Sequence, residues 1–551
     1  MTHISENATP LVIQRISLYD VDNLANLSSE FGHVYFLRLP YGRTDQDGAH
    51  SEIVFQKISA FCARLDPQAV ICILTTPPDA ARLHAYLEST LNFRLWIAVK
   101  TANPISVDQV NTLPQRHLAL LVYTRYSTAF VHTKTRISYT YCPACGKTTK
   151  DYGGKKHLYH KDGTLISDVW RDIVIDQNDD FEPIIERLRD LFGLSPYTNL
   201  TVLDFIQCPD LAHKTYQREV SSTDRQESHT PRLRSRLIRD DCLNALRRIA
   251  SNSIDFCFAD LPYNLDKDYS GYDDTLELQE YFAWCDRWLS QLARVLKPGR
   301  TCAVLNIPLW AIRHFQHLAT ILDFQMWIAW EALAFPVRQI MPAHYAILCF
   351  SKGPARPLPG LHQLLQVGQE NRDLMPLAES FCVRPKCVRG RSGLGIIDRG
   401  PLFDLWYDIH RLKHNSKRVD HPCQLPPALM RRLFTIFTEA GDIVLDCFNG
   451  AGTSTLVAAQ MGRRYIGIEI SKKYHRIALK RHDDLKRGLD PFRTRTRGLN
   501  SPNLMRTSQV SRGEFFARDK LIHDLLEFVE LPPKIGISRS GFRHHDGQAG
   551  A

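Results

Sequence analysis

The sequence predicts an α/β protein built from two related Rossmann-like units, each a doubly wound, mostly parallel sheet. Short apolar or β-branched runs alternate with stretches of helical period, which is typical of this class. Similar segments also recur in the same order roughly 230 residues apart, which indicates an internal duplication. Hydrophobic residues make up 44% and charged residues 23% of the 551 residues. That balance is typical of globular proteins and argues against disordered, collagen-like and coiled-coil chains.

The strands and helices are clearest in the second half of the chain. A helical period of apolar residues predicts helices over 278–296 and 424–440. Five short apolar runs, bounded by turn residues, predict strands. These runs are FCFAD (256–260), TCAVLNI (301–307), AILCF (346–350), IVLDCF (443–448) and YIGIEI (465–470).

The repeat consists of six segment pairs whose separation grows steadily along the chain. Each pair also has an alternative explanation, because buried strands of any α/β protein resemble one another. The pairs are 34–42 with 256–264, 64–74 with 294–305, 92–98 with 323–329, 113–125 with 341–353, 167–173 with 403–409, and 199–205 with 441–448.

The repeat defines the predicted domains. The two units span 10–213 and 235–485, and a polar, charged linker at 214–234 separates them. The remaining residues, 486–551, form a basic tail with one short amphipathic helix over 517–531.

Composition limits the cellular context. No run approaches the roughly 18 apolar residues of a membrane helix, and the N-terminus lacks the pattern of a secretory signal. We therefore expect a cytoplasmic, nucleoid-associated protein without a membrane partner, whose 14 Cys stay reduced. The net charge of +10 favours a polyanionic partner.

A glycine-rich turn lies between two predicted strands at 443–470. Gly450 and Gly452 allow a tight turn and close approach of a ligand at the start of a helix near Thr453. Glu469, at the end of the following strand, is suited to accept hydrogen bonds from ribose hydroxyls. The third glycine of a dinucleotide fingerprint and the GK[ST] of a Walker loop are both missing. A plain glycine-rich turn is the alternative.

The segment Asp260-Leu261-Pro262-Tyr263 follows the strand at 256–260. It therefore lies at the carboxyl end of a strand, where open α/β sheets bind ligands. An acid, a rigid proline and an aromatic ring suit a flat, amine-bearing ring. The alternative is a simple turn that ends the strand.

These motifs together resemble those of S-adenosylmethionine-dependent DNA amino-methyltransferases. DLPY is similar to the family's D-P-P-Y motif, FNGAG (448–452) to its F-x-G-x-G loop, and HPCQLPPALMRRL (421–433) to its H-P-x-Q-K-P segment. Their order along the chain resembles the permuted β class. The resemblance implies two methyltransferase units, with all motifs in the second and a degenerate copy in the first.

The resemblance implies roles for the matching residues. Asp260 and the Leu261 carbonyl would accept the two hydrogens of a base amine. Tyr263 would stack on that base after it is flipped out of the duplex, and Pro262 would complete the turn that holds these residues. The implied cofactor-binding residues are Asp241, His421, Gln424, Asp446, Phe448, Asn449, Gly450, Gly452, Thr453 and Glu469. Asp241 is equally well explained as the N-cap of a helix. Leu425 stands where the family has Lys, which puts that contact in doubt.

The first half lacks these chemical groups. Its counterpart of the DLPY motif is Arg38-Leu39-Pro40-Tyr41, and its counterpart of the glycine loop, at 204–210, has no glycine. Arg cannot accept a hydrogen bond from an amine. We therefore predict an inactive copy that binds DNA, so that one chain acts as a pseudo-dimer. A structural lid without DNA contact is the alternative.

The sequence also predicts one structural zinc site. Cys142 and Cys145 have the C-x2-C spacing of a zinc knuckle, and Cys382 and Cys387 lie at the corresponding place in the second half. The two pairs could meet across the pseudo-twofold axis. His157 and His160 are the local alternative, and reduced structural cysteines are another.

The predicted function is N6-methylation of adenine in double-stranded DNA, with 355–418 as the target-recognition insert. Basic segments at 151–163, 384–391 and 410–418 are candidates for phosphate contacts. The alternatives are N4-methylation of cytosine, methylation of a glutamine side chain, and an inactive nucleic-acid-binding regulator. A restriction or defence partner is a further expectation.

Overall fold

The computed structural model describes most of the chain in two large mixed sheets with helices on their faces. The described residues are 12–17, 34–39, 48–105, 110–126, 132–148, 151, 160–175, 181–194, 200–206, 233–264, 276–332, 340–365, 375–410 and 424–492. Residues 214–232 of the predicted linker and the predicted helix at 517–531 lie outside them. Among the helices of these residues, none is long and apolar enough to cross a membrane.

The first half contributes eleven strands and three helices within the described residues. The strands are β1 (Val12–Ser17), β2 (Val34–Arg38), β3 (Val70–Thr75), β4 (Asn92–Thr101), β5 (His117–Thr124), β6 (Arg136–Ile137), β7 (Tyr141–Cys142), β8 (Lys147–Thr148), β9 (Thr164–Leu165), β10 (Val169–Ile175) and β11 (Leu200–Ile206). The helices are α1 (Gly48–Cys62), α2 (Pro77–Leu87) and α3 (Glu182–Phe192).

The second half contributes eight strands and eight helices to the part of the chain that is described. The strands are β12 (Arg236–Ile238), β13 (Ile254–Asp260), β14 (Leu296–Asn306), β15 (Asp323–Glu331), β16 (His344–Ser351), β17 (Leu405–Trp406), β18 (Ile443–Asp446) and β19 (Arg464–Ile468). The helices are α4 (Cys242–Arg247), α5 (Leu278–Val295), α6 (Pro308–Leu318), α7 (Leu361–Leu365), α8 (Pro385–Gly393), α9 (Pro427–Phe437), α10 (Thr453–Gln460) and α11 (Lys472–Lys486).

The predicted α/β class is confirmed, and the predicted elements lie close to the observed ones. Helix α5 is amphipathic and buries Trp288 and Leu289 on its inner face. Helix α9 covers only part of the predicted 424–440, because Pro426 and Pro427 favour a helix start there and Thr438 is already extended.

The two sheets have the same strand order, apart from one strand. The first runs β1-β11-β2-β3-β5-β4-β10 and the second runs β12-β19-β18-β13-β14-β16-β15-β17. Without β19, each strand of one sheet has a counterpart in the other. The antiparallel strand of each sheet, β5 or β16, also occupies the same position. The six segment pairs of the sequence fall on these equivalent strands, which supports the predicted duplication.

Reciprocal contacts join the two halves. The Trp96 and Trp327 rings stack with centroids 4.2 Å apart and an interplanar angle of 5°. Oδ1 of Asp168 accepts hydrogen bonds from the backbone N–H of Ala343 and His344, at 2.7 and 2.9 Å. Burial raises the pKa of Asp168 to about 7.

The opposite half makes the matching contacts. Oδ1 of Asp404 accepts a hydrogen bond of 2.7 Å from the backbone N–H of Arg116, and its Oδ2 lies 2.9 Å from Nδ1 of His117. Equivalent residues therefore contact one another in both directions, as across a twofold axis.

We expect the tryptophan stack to contribute measurably to the stability of the whole chain. Trp96→Ala and Trp327→Ala should each lower the free energy of unfolding by about 3–5 kcal/mol, because each leaves a cavity in a buried interface. The double variant should lose less than the sum, by about 0.5–1.5 kcal/mol, since the rings stack on each other. Urea titrations measure both effects.

Tyr126→Ala is a control, because Tyr126 is 56% exposed and should change stability by less than about 0.5 kcal/mol. Strict additivity of the two tryptophan variants would contradict a direct interaction across the interface.

Candidate active site

A pocket lies at the carboxyl ends of three neighbouring parallel strands, β13, β18 and β19. The carboxyl end of a parallel strand is where this class of sheet binds ligands. Each strand delivers one acid to the pocket at or just past its end, and these acids are Asp260, Asp446 and Glu469. The structure therefore brings together the two motifs that the sequence separates by almost two hundred residues.

Most of the predicted site residues line this pocket. Those in its wall are Asp241, Asp260, Leu261, Pro262, Tyr263, Gln424, Asp446, Phe448, Asn449, Gly450, Thr453 and Glu469. Gly452 lies in the same loop and caps the following helix. His421 lies outside the described residues.

Hydrogen bonds hold the turn after β13 in place. The hydroxyl of Tyr281 donates to the Pro262 carbonyl at 2.8 Å, and the indole N–H of Trp310 donates to the Tyr263 carbonyl at 2.8 Å. The hydroxyl of Tyr263 donates to Oδ1 of Asp260 at 3.0 Å. Only 4% of Tyr263 is exposed, so its ring is mostly packed in the protein and its hydroxyl orients the carboxylate.

The glycine loop uses backbone conformations that favour glycine. Gly450 and Gly452 have φ angles of 50° and 81°, in the left-handed region. A side chain at Gly452 would also place its Cβ 3.0 Å from Cβ of Ala478 on α11. The loop therefore turns tightly into α10 at the wall of the pocket.

Glu469 fixes the loop from the next strand. Its Oε2 accepts a hydrogen bond of 2.8 Å from the backbone N–H of Gly450, and its Oε1 accepts one of 2.8 Å from that of Ser471. Burial nevertheless raises the pKa of Glu469 to about 7. Its charge therefore changes near neutral pH.

Asp446 holds the opposite side of the loop. Oδ1 accepts a hydrogen bond of 2.9 Å from the backbone N–H of Phe448, and Oδ2 accepts one from the Ser454 hydroxyl. Burial raises the pKa of Asp446 to about 6. Two largely desolvated acids thus line one pocket, and a cationic ligand would stabilise their ionised forms.

Asn449 lies deep in the loop and is 5% exposed. Its backbone N–H donates to the Ile468 carbonyl at 2.9 Å, and its Oδ1 accepts from the Thr455 hydroxyl at 2.9 Å. Its Nδ2 has no hydrogen-bond partner among the described residues. A buried amide donor in a pocket wall needs an acceptor, and a bound ligand can supply one.

Asp241 lies where it can both cap a helix and face the pocket, the two alternatives that the sequence left open. It is the N-cap of α4, and its Oδ1 accepts a hydrogen bond of 3.1 Å from the backbone N–H of Asn244. It also lines the pocket, after β12, the strand that pairs with β19. The capping bond leaves further acceptor capacity on the carboxylate, so the two roles are compatible.

Several residues at the pocket belong to none of the sequence motifs. Trp284 on α5 lines the pocket, and its ring lies 5.7 Å from that of Phe448. Tyr474 on α11 lies in the wall as well. Gly467 lies behind the loop, where a Cβ would come within 2.6 Å of Cγ of Asn449. In the sequence, the one local sign that Gly467 belongs to the site is its place in the run Gly467-Ile468-Glu469.

The corresponding place in the first half is closed by an ion pair. Arg38, at the end of β2, stands in the position of Asp260, and Asp204 in that of Asp446. The Arg38 guanidinium donates two hydrogen bonds to the Asp204 carboxylate, at 2.7 and 2.8 Å, and lies 4.8 Å from the centre of the Phe181 ring. The pair neutralises the acid that would otherwise face a ligand.

The four predicted cysteine ligands also come together. The Sγ atoms of Cys142, Cys145, Cys382 and Cys387 all lie within 4.8 Å of one another. Among the described residues His160 is not part of this group, and its Nδ1 lies 3.5 Å from Oδ2 of Asp162. His157 lies outside the described residues.

Comparison with known proteins identifies the family. The DNA methylase family model that covers N6 and N4 enzymes matches residues 254–480. The type II methyltransferase M.HpaI of Haemophilus parainfluenzae is 31% identical over 264 residues, which cover 46% of this chain and 76% of that protein. This chain belongs to the DNA methylase family.

Two further relatives show the extent of the likeness. The type II methyltransferase M.BamHI of Bacillus amyloliquefaciens is 31% identical over 243 residues, or 43% of this methylase. The methylase spans only 54% of the length of M.BamHI. The solved PvuII DNA methyltransferase, which is cytosine-N4-specific, is 16% identical with a TM-score of 0.33, covering 54% of this chain and 93% of its own.

Proposed function

We propose that the methylase transfers a methyl group from S-adenosylmethionine to the exocyclic N6 amine of adenine in double-stranded DNA. One observation carries the proposal. The Asp260 carboxylate, which suits an amine, and the glycine loop with Glu469, which suits a nucleoside, border one pocket. The family assignment supports the same reaction class.

The pocket fits the proposed cofactor. Glu469, at the end of β19, accepts hydrogen bonds from ribose hydroxyls while it also holds Gly450. The orphan Nδ2 of Asn449 offers a donor, and Phe448 and Trp284 form an aromatic wall for a flat ring. The buried acids favour a ligand that carries a positive charge.

Asp260 activates the amine. An exocyclic amine is a poor nucleophile because its lone pair is delocalised into the ring. The Asp260 carboxylate and the Leu261 carbonyl accept the two N–H hydrogens and draw the nitrogen toward tetrahedral geometry. Tyr263 orients one carboxylate oxygen, and a carboxylate retains further acceptor sites for the amine.

The atoms of the reaction balance without a metal or a covalent enzyme intermediate. The glycine loop and Glu469 would hold S-adenosylmethionine, which would supply the methyl carbon to the amine lone pair, and the carbon–sulfur electron pair would stay with sulfur. One amine proton leaves through Asp260. The protein contributes mainly by positioning the amine, at about 3–3.5 Å from the methyl carbon.

Tyr263 has a different balance of roles from the one that the resemblance implies. With 4% of the residue exposed, the ring offers little surface to a stacked base. Its hydroxyl contact with Asp260 is the interaction that its position supports. We infer that Tyr263 acts mainly by positioning Asp260.

The DNA surface includes helix α8, within the segment 355–418. Lys386 and Arg389 on this helix are exposed, so both are accessible to phosphates. A base in a duplex cannot reach the pocket, so the target adenine has to be flipped out. We infer that α8 and its surroundings select the target site.

The first half does not methylate. The Arg38–Asp204 ion pair fills the position of the acids in the second half. Its sheet nevertheless has the same strand order, and it packs on the second half about a pseudo-twofold axis. We infer that one chain works as a pseudo-dimer, in which this half binds DNA.

We expect Asp260→Ala to reduce methyl transfer by about 10²–10³-fold, because the amine loses its charged acceptor. Nucleoside mass spectrometry of DNA incubated with the full-length protein and S-adenosylmethionine measures N6-methyladenine and N4-methylcytosine. Tyr263→Phe is the matched variant, since it keeps the ring and removes only the hydroxyl, and its loss should be smaller.

Unchanged methylation in Asp260→Ala would contradict the role of Asp260. Appearance of N4-methylcytosine alone would keep the mechanism and replace the base.

Cofactor affinity should depend on pH through Glu469. Its pKa is raised to about 7 by burial, so the free pocket takes up a proton as the pH falls through 7. Ribose hydroxyls bind the ionised carboxylate better, since charge-assisted hydrogen bonds are stronger. The Kd of S-adenosylmethionine should therefore be constant above about pH 8 and rise, by up to about tenfold per pH unit, below pH 7.

Glu469→Gln should bind the cofactor more weakly and lose the pH dependence between pH 6 and 8. Asp446 has a pKa of about 6, so it should affect the Kd at a lower pH than Glu469 does. The effect of Asp446 on the Kd therefore serves as an internal reference in both proteins. Isothermal titration calorimetry from pH 5.5 to 8 measures the Kd of the wild-type protein and of Glu469→Gln. A wild-type Kd that is flat from pH 5.5 to 8 would contradict the expected link between cofactor binding and the charge of Glu469.

Arg38→Ala should leave cofactor binding at one molecule per chain with an unchanged Kd. It should lower the free energy of unfolding by about 3–5 kcal/mol, because Asp204 is 1% exposed and would lose its buried partner. Arg38→Ala with Asp204→Asn should restore part of that stability. Loss of cofactor binding in a folded Arg38→Ala protein would show that the first half binds the cofactor.

A further inference from the structure

We propose that Cys142, Cys145, Cys382 and Cys387 bind one structural Zn²⁺ ion that joins the two halves of the chain. The site lies apart from the pocket of the methylase. Two of its ligands come from the hairpin β7–β8 of the first half, and two come from α8 and the residue segment before it in the second half.

The sulfur positions match a tetrahedral ion. The Sγ atoms of Cys142 and Cys387 are 4.0 Å apart, and those of Cys145 and Cys382 are 3.9 Å apart. Metal–sulfur bonds of about 2.3 Å in a tetrahedron separate the sulfurs by about 3.8 Å. Four sulfur ligands in this geometry favour zinc over magnesium, calcium or manganese.

The first pair lies in a turn built for a metal. The backbone N–H of Gly146 donates to the Cys142 carbonyl at 2.9 Å, and Gly146 has a φ of 62°. That conformation turns the chain so that Cys142 and Cys145 point to the same side. Pro143 and Ala144 are exposed, so the turn has little packing of its own.

The second pair is surrounded by compensating charge. Nη1 of Arg391 donates to Sγ of Cys387 at 2.9 Å, and its Nη2 donates to the Cys382 carbonyl at 3.0 Å. The same guanidinium donates to Asp398 through Nε at 2.7 Å and is almost fully buried. Four thiolates around Zn²⁺ carry a net charge of −2. Arg391 contacts one of the sulfurs but shares its charge with Asp398, and Nη1 of Arg384 lies 4.0 Å from Sγ of Cys145. Such outer contacts also fix the orientation of metal ligands.

The local elements need a cross-link. The sheets β6–β9 and β7–β8 each consist of two-residue strands, and isolated ribbons of that size are not stable by themselves. Helix α8 has Gly390 in its interior, which lowers its intrinsic stability, and it ends at Gly393. A metal that ties both segments together can supply the missing stability.

Metal analysis tests the proposal on the full-length protein. Protein expressed with added zinc should contain one zinc ion per chain, as measured by inductively coupled plasma mass spectrometry. Cys142→Ser and Cys387→Ser, one from each half, should each lose it. Cys62→Ala is the matched control, because Cys62 is a buried cysteine outside the group, and it should keep the full amount.

Three results would overturn the proposal. Less than a tenth of an equivalent of zinc in the wild-type protein would exclude the site, as would full zinc content in Cys142→Ser. If the intact mass before reduction were about 4 Da lower than the mass after reduction, the protein would contain two disulfides. A disulfide requires Sγ atoms about 2.05 Å apart.

A second measurement holds if the serine variants fail to fold. Co²⁺ added to metal-stripped wild-type protein should give the visible absorption of a tetrahedral thiolate site, and Zn²⁺ should displace it. A chelator should lower the Tm of the wild-type protein. It should lower the Tm of the Cys62→Ala control by the same amount. Absence of the thiolate absorption would count against the site whatever the methylase activity.

Discussion

The parallel pairing of β13, β18 and β19 is the constraint on which the candidate site depends. These strands come from distant parts of the sequence, yet their shared direction brings all their carboxyl ends to one edge. Asp260, Asp446 and Glu469 meet there because each ends or follows one of these strands. The loops after the strands then need only short turns to enclose a ligand. The order of the motifs along the chain is therefore immaterial to the site, provided that the strand order is kept.

Burial then determines the electrostatics of that edge. Desolvation raises the pKa of Asp446 and of Glu469. It outweighs the hydrogen bonds that these carboxylates accept from backbone N–H groups, which by themselves would lower the pKa of each acid. The same edge of the first half carries a different pattern of charge. Its sheet keeps the strand order, because apolar packing maintains it, while a single basic residue, Arg38, neutralises the acid at the strand end. Fold and chemistry thus depend on different residues.

The sequence alone predicted the parts that local patterns encode. Strand alternation gave the α/β class, and two glycines with a following acid gave the loop. The rest depends on contacts between distant residues. Trp284 lines the pocket because α5 packs against Phe448, and the helical period does not show which of its aromatic residues faces that way. Likewise, Tyr263 has the identity of a stacking residue, but its burial and its bond to Asp260 follow from the packing of Tyr281 and Trp310.

The interface between the halves favours descent from a symmetric dimer. The backbone N–H of Asp168 donates to the Met341 carbonyl, and that of Asp404 donates to the Pro114 carbonyl. In the repeat, Asp168 matches Asp404, and the acceptors lie at matching places before β16 and β5. Such reciprocity is the signature of an isologous contact between identical subunits. In an identical dimer the interface has to serve both copies equally. In a single chain each half has its own sequence, and here Arg38 stands in one half where the other half has Asp260.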